Sequence, residues 1–258
     1  MISVISPAKT LDFKTPPTTK KFSQPDFIKK AENLVRICKQ MSPHDLSMLM
    51  GISNNLGALN AERFSNWHLP FTPHNAKQAL MAFNGDVYVG LNASTLTDEN
   101  LNFAQNHLRI LSGLYGILRP LDLIQPYRLE MGTRLKNPKG NDLYRYWGKS
   151  ISENLNTTLQ SNNECLLVNL ASEEYFKSIN LNILDATIVT PTFKDKKNGK
   201  YKVISFFSKK ARGLMANFLI KEQIQDVEGL CSFSSAGYTY SKEESTPLNP
   251  VFLRDMPV

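Results

Sequence analysis

From Leu111 to Gly132 the chain reads LSGLYGILRPLDLIQPYRLEMG, and no other stretch constrains the fold as strongly. Three glycines, two prolines and two arginines punctuate a segment that is otherwise as apolar as a core. Glycine and proline interrupt helices and central strands, so one regular element cannot account for it. Its leucines, isoleucines and tyrosines still demand burial. The segment therefore predicts irregular backbone inside the molecule, with N–H and C=O groups that must find partners there. Gly113 and Gly116 bracket Leu114-Tyr115 in a hairpin-like pattern. Arg119 precedes Pro120, which pushes it toward extended backbone, and Arg128 follows Pro126-Tyr127 in a similar setting. Two readings are open for these arginines. They line a cleft as a stiff basic wall suited to phosphate, or they brace the fold by pairing with Asp122 and Glu130.

The elements around this segment mix strand and helix without steady alternation. ISVIS (2–6) and CLLVNLAS (165–172) read as buried strands, and HLRILS (107–112) as a strand or a helix end. Helical spacing runs from about Pro25 to Gln40. Ser42-Pro43-His44-Asp45 is a helix start, with Ser53, Thr72-Pro73 and Thr97-Asp98-Glu99 as further starts. A helix capped by Asn141 extends to about Leu159, and another runs from Lys209 to about Glu222 with Ser208 as cap. ATIVTPTF and YKVISFF flank KKNGK, a hairpin with Asn-Gly at its tip, and YTYSKEE pairs with PVFLRD. With 258 residues and no repeat or linker, the expectation is one α+β domain over 1–258: an irregular mixed sheet surrounded by helices.

Charge points toward anionic partners. The chain carries 30 Lys+Arg against 23 Asp+Glu, and the pI is about 9.2. Between Lys194 and Arg212 eight cations stand against one acid, a surplus as large as that of the whole chain. Cys38, Cys165 and Cys231 lie far apart, with neither metal-like nor redox-like spacing, and read as reduced thiols. Pro7 stops the apolar start, and no run reaches membrane-spanning length, so a cytoplasmic protein without a membrane partner is expected.

Chemistry concentrates in a few stretches. In SKKARG (208–213) a Ser208 cap places Lys209, Lys210 and Arg212 in the first helical turn, against the helix dipole. A bound phosphate resolves that conflict; the alternative is a solvated basic end. In ISPAKT (5–10) Lys9 follows a strand end, a common ligand position, although the glycines of a phosphate-binding loop are missing. DLSMLMGISNNLGAL (45–59) reads as helix, tight turn and helix, and resembles a helix-hairpin-helix. There Gly51 and Ser53 would approach a phosphate backbone; the alternative is a plain helical hairpin. No histidine, cysteine or carboxylate spacing marks a metal site, no cofactor is implied, and no catalytic residue is legible.

Taken in order, ISPAKT, GDVYVGL, LSGLYGILRPLDLIQPYRLEMG, LASEEYFKS and SKKARGLM resemble the YaaA family of peroxide stress resistance proteins, over essentially the whole chain. The resemblance implies a bacterial, cytoplasmic protein that limits oxidative and iron-dependent damage. It also implies an unusual α+β fold with a basic cleft and a helix-hairpin-helix element. The partner it implies is duplex or branched DNA, bound through backbone phosphates without sequence reading. Lys9, Arg119, Arg128, Lys209, Lys210 and Arg212 are the expected cleft residues, with Gly51 and Ser53 in the hairpin. A binding protein is favoured over an enzyme. The alternative is an enzyme acting on nucleic acid or a phosphorylated small molecule in the same cleft, with Asp86, Asp122 or Glu130 as base or metal ligand.

Overall fold

The computed structural model describes residues 1–255. The chain opens on β1 (Ile2–Ile5), buried at every position, and a short β2 (Thr10–Leu11) follows. In α1 (Ile28–Lys39) Ala31, Leu34, Val35 and Cys38 form the buried face that their spacing demands. A reciprocal cap between Ser42 and Asp45 starts α2 (Pro43–Met50), and Gly51 ends it at φ 59°. The Ser53 hydroxyl accepts the Leu56 N–H and starts α3 (Asn54–Asn66). Next come β3 (Lys77–Gln78), α4 (Ala79–Ala82), β4 (Phe83–Asn84) and α5 (Asp86–Leu91). Thr97 caps α6 (Asp98–His107), which leads into β5 (Leu108–Ser112), β6 (Gly116–Leu118) and β7 (Leu123–Ile124). The second half holds α7 (Leu143–Trp147), α8 (Ser150–Ser161), β8 (Leu166–Leu170), α9 (Glu173–Phe176), β9 (Thr187–Val189), β10 (Thr192–Lys197) and β11 (Lys200–Lys202). It closes with α10 (Ser205–Lys221), α11 (Val227–Cys231), β12 (Thr239–Tyr240) and β13 (Val251–Arg254).

A five-stranded sheet in the order β6-β5-β1-β8-β9 forms the centre. β5, β1, β8 and β9 are parallel and only β6 runs against them. Its centre is thus α/β in character, more parallel than the α+β expectation, while the expected mixed sheet with surrounding helices stands. The alternation was hidden because residues 6–107 separate β1 from its neighbour β5. A four-stranded sheet, β11-β10-β13-β12, packs at one side, and its Phe193 and Phe252, with Phe233 and Tyr238 from the chain just before β12, join the main core.

Several boundaries differ from expectation. Thr72-Pro73 starts a turn, closed by the Asn75 side chain on the Thr72 N–H, and no helix follows. The helix expected from Asn141 to Leu159 is two: Asp142 caps α7, and Gly148 at φ 52° ends it before α8. Pro191, which has no N–H, divides ATIVTPTF between the two sheets. The hairpin at Asn198-Gly199 forms as expected, but Ser205 already begins α10. Ser208 is therefore not a cap. It lies inside the helix, so Lys209, Lys210 and Arg212 sit beyond the first turn and its free N–H groups.

Leu111–Leu118 lies in a buried β-hairpin, not a second helical one, and the chain on to Gly132 is irregular except where β7 pairs with β3. Leu114 and Tyr115 are fully buried in the turn between β5 and β6. Its backbone breaks are satisfied by side chains: Ser112 Oγ accepts the Tyr115 N–H at 3.0 Å, and Trp147 Nε1 donates to the Gly113 carbonyl at 3.0 Å. Tyr115 OH takes the N–H groups of Trp67 Nε1 and Gln125. Gly116, at φ 73°, lies under the Trp147 ring, where a Cβ would come within 2.7 Å.

Candidate functional site

β1 has β5 on one side and β8 on the other, so the strand order reverses at its carboxyl end. In parallel sheets ligands enter the crevice at that reversal. A cavity of about 530 Å³ opens there. The loop after β1 (Ser6–Thr10) and the turn after β8 (Leu170, Ser172–Tyr175) form its floor and one wall. Asn84–Tyr88, Tyr127–Glu130, Lys209 and Arg212 complete it. Each of the five stretches that carry the family resemblance contributes lining residues to this one cavity.

Local hydrogen bonds hold the walls. Ser6 Oγ accepts the Ser172 N–H at 2.9 Å, joining the ends of β1 and β8. Tyr88 OH donates to the Ser6 carbonyl at 3.1 Å. The Glu174 carboxylate accepts the Gly132 N–H at 2.8 Å, fixing the Tyr127–Gly132 segment against α9. On the far side α5 and α10 cross backbone to backbone. A Cβ on Gly90 would stand 2.1 Å from the Lys210 carbonyl, and one on Gly213 would stand 1.8 Å from the Val87 carbonyl. That crossing joins the helix that carries Asp86 and Tyr88 to the helix that carries Lys209 and Arg212, and all four line the cavity.

The charges are mixed. Glu130 holds two cations, Lys9 Nζ at 2.8 Å and Arg128 Nη2 at 3.0 Å. Arg128 Nε is buried without a partner. Arg212 is partly buried, and neither a carboxylate nor a hydrogen-bond acceptor within the described residues meets its guanidinium. Burial pushes its pKa down. Burial also pushes the phenols of Tyr88, Tyr127 and Tyr175 well up, so they stay neutral.

Of the residues expected in a cleft, Lys9, Arg128, Lys209 and Arg212 come together. Lys210 is exposed on α10 outside the lining. Arg119 lies elsewhere and is a brace: its side chain bonds Asp122 at 3.1 Å, Asp26 at 3.2 Å and the Gln24 carbonyl at 2.7 Å. The single basic wall of Arg119 and Arg128 is therefore not built; both pairs of the bracing reading form, Arg119 with Asp122 and Arg128 with Glu130, and Arg128 also lines the cavity. Gly51 and Ser53 sit in the α2–α3 hairpin, away from the cavity. Asp122 is 1% exposed and bound to Arg119 and Ser23, so it offers nothing to the cleft, whereas Asp86 and Glu130 line it. Sequence reasoning missed the Ser6–Ser172 latch and the tyrosine floor. The paired small residues in GDVYVGL and SKKARGLM were its only trace of the helix crossing.

This architecture defines a class: an α/β protein with a mixed-charge cavity at the switch point of a mainly parallel sheet. The sequence profile described as peroxide stress protein YaaA matches residues 1–244, and the chain belongs to that family. It is 56% identical over 256 residues to a UPF0246 protein of Pseudoalteromonas translucida (strain TAC 125), covering 99% of each chain. A UPF0246 protein of Shewanella sp. (strain W3-18-1) is 53% identical over 255 residues, again covering 99% of each. No helix among the described residues is long and apolar enough to cross a membrane.

Proposed function

We propose that this protein serves the cellular response to hydrogen peroxide by holding duplex or branched DNA through backbone phosphates. In this reading it works in the cytoplasm and limits oxidative and iron-dependent damage. The observation that carries it is the face made by the β10–β11 hairpin and the start of α10. Lys194 and Lys196 are neutralised there by Glu244 and Asp255. Lys197, Lys200, Lys202, Lys209 and Lys210 are exposed and have no such partner among the described residues. Val203 and Phe206 stand between them, 55% and 58% exposed. Lysines suit phosphates, and an exposed aromatic among them suits an unpaired base. Lys209 borders both this face and the cleft. The α2–α3 hairpin, with Gly51 and Ser53 at its exposed turn, is a second phosphate-binding element in this reading.

A salt-titrated mobility shift with linear duplex and four-way junctions tests it. The variant Lys197→Ala/Lys200→Ala/Lys202→Ala is expected to bind more weakly, with the salt slope reduced by about 0.9 for each phosphate no longer neutralised. Phe206→Ala is expected to cost about 1–3 kcal/mol on branched DNA and little on linear duplex. Affinity that ignores salt rejects the reading. A second reading, an enzyme acting on a nucleic acid or phosphorylated small molecule, draws on Asp86 and Glu130 in the switch-point cavity. Incubation with DNA and Mg²⁺ or Mn²⁺ tests it, and intact DNA counts against a nuclease.

A further inference from the structure

We infer that the switch-point cleft is a site for a single nucleoside monophosphate, either free or as one nucleotide extruded from a DNA strand. The extruded form rests on the DNA reading above; the free form does not.

Size comes first. A cavity of about 530 Å³ matches a small-molecule site and cannot admit a duplex. Whatever enters is one nucleotide or something like it, while the exposed lysines of the hairpin stay outside.

An anion is required next. A partly buried guanidinium without a counter-charge is unfavourable, and Arg212 is in that state. Arg128 Nε is a buried donor with nothing to bond. A phosphate beside Arg212 would supply its missing counter-charge, with Lys209 closing over it from the same helix.

The rest of the ligand is planar and largely apolar. Tyr88, Tyr127 and Tyr175 line the cavity, and the hydroxyls of Tyr88 and Tyr127 are spent on the Ser6 carbonyl and Ser112 Oγ. What they present is ring, which suits a base by stacking or edge contact. Asp86 and Glu173 are acceptors for exocyclic amino and sugar hydroxyl groups. The same carboxylates, with Glu130 already holding Lys9 and Arg128, repel the extra charge of a di- or triphosphate. One phosphate is therefore the fit.

Calorimetric titration of the full chain with dAMP, deoxyadenosine and inorganic phosphate tests this, beside oligonucleotides carrying 2-aminopurine at a mismatch. The expected result is dAMP binding tighter than deoxyadenosine or phosphate. Arg212→Gln weakens it roughly tenfold or more, as removal of a charge-assisted hydrogen bond requires. Lys209→Ala, an exposed position that leaves folding untouched, weakens it less. A rise in 2-aminopurine fluorescence that Arg212→Gln abolishes identifies the extruded form; dAMP binding without that rise identifies the free one. Phosphate binding as tightly as dAMP overturns the inference, as does dAMP binding that neither variant changes. A wild-type protein that shifts duplex DNA yet shows neither dAMP binding nor the fluorescence rise overturns it too, and leaves the DNA reading standing. Binding of dAMP without any duplex shift does the reverse.

Discussion

Asp122 shows how one residue binds distant parts of the chain. Its carboxylate accepts the Arg119 N–H at 2.8 Å, Arg119 Nε at 3.1 Å and Ser23 Oγ at 2.6 Å. Burial pushes its pKa up, and those donors pull it back. Asp122→Ala strands the Arg119 side chain, with Asp26 as partial compensation, so a loss of about 2–4 kcal/mol is expected in urea unfolding. Cys38 shows what burial does to a thiol. Burial pushes its thiol up to about 12. The thiolate forms only as pH rises toward that value, so the reactive species is essentially absent at neutral pH. Native protein exposed to hydrogen peroxide is expected to keep Cys38 reduced by mass spectrometry, with exposed Cys165 the more accessible thiol. Oxidation of Cys38 in the folded protein would show that this burial is not maintained in solution.

Between elements, the α5–α10 crossing matters most. Helix propensity alone favours Gly213→Ala by about 1 kcal/mol. The new methyl would meet the Val87 carbonyl, a backbone group that cannot rotate away. Sterics therefore win, and a net loss of about 1–3 kcal/mol is expected for Gly213→Ala and for Gly90→Ala. Both variants also push α10, which carries Lys209 and Arg212, away from α5, so the proposed ligand binding in the cavity is expected to fall more than stability does. Titration beside thermal unfolding separates the two effects. The start of α10 is set in a related way. Ser208 resembles a cap by residue type, yet Ile204 holds that position and the helix continues back through Phe207. Arg254 lies 5.0 Å from the Phe207 ring, a packing interaction that single-sequence capping rules do not contain.

Across the molecule, the two sheets share one core. Phe193 stacks on Phe252 at 5.5 Å, and Phe233 meets both Phe252 and Phe218 of α10. One cooperative thermal transition is therefore expected, with calorimetric and van't Hoff enthalpies in agreement. Two resolved transitions would mean that the β10–β13 sheet folds as a separate unit. The same arrangement divides the charge. The lysine surplus lies on the outer hairpin and the start of α10, whereas the cavity beside it balances arginines against carboxylates. The net charge of the chain describes the first and conceals the second.

Local chemistry was enough to specify the strands β1 and β8, the Ser42–Asp45 cap, the Asn198-Gly199 hairpin and the grouping of cations around Lys209. Hydrophobic runs, capping oxygens and residues that tolerate a tight turn are all legible in the amino-acid order. Lys9 and Arg128 were marked in the same way, because loop ends and proline-stiffened arginines carry a local signal, whereas Arg212 was singled out for a first-turn position that it does not hold. The roles of Arg119 and Arg128 were not legible. Arg119 pairs with Asp122 away from the cavity and Arg128 pairs with Glu130 at its lining, although their sequence neighbours are alike, and the difference arises from their neighbours in space. The parallel sheet likewise emerges only on folding, because β1 and β5 pair across a hundred residues of intervening chain. Pairing at that distance is fixed by which faces can be buried together, and no local pattern records it.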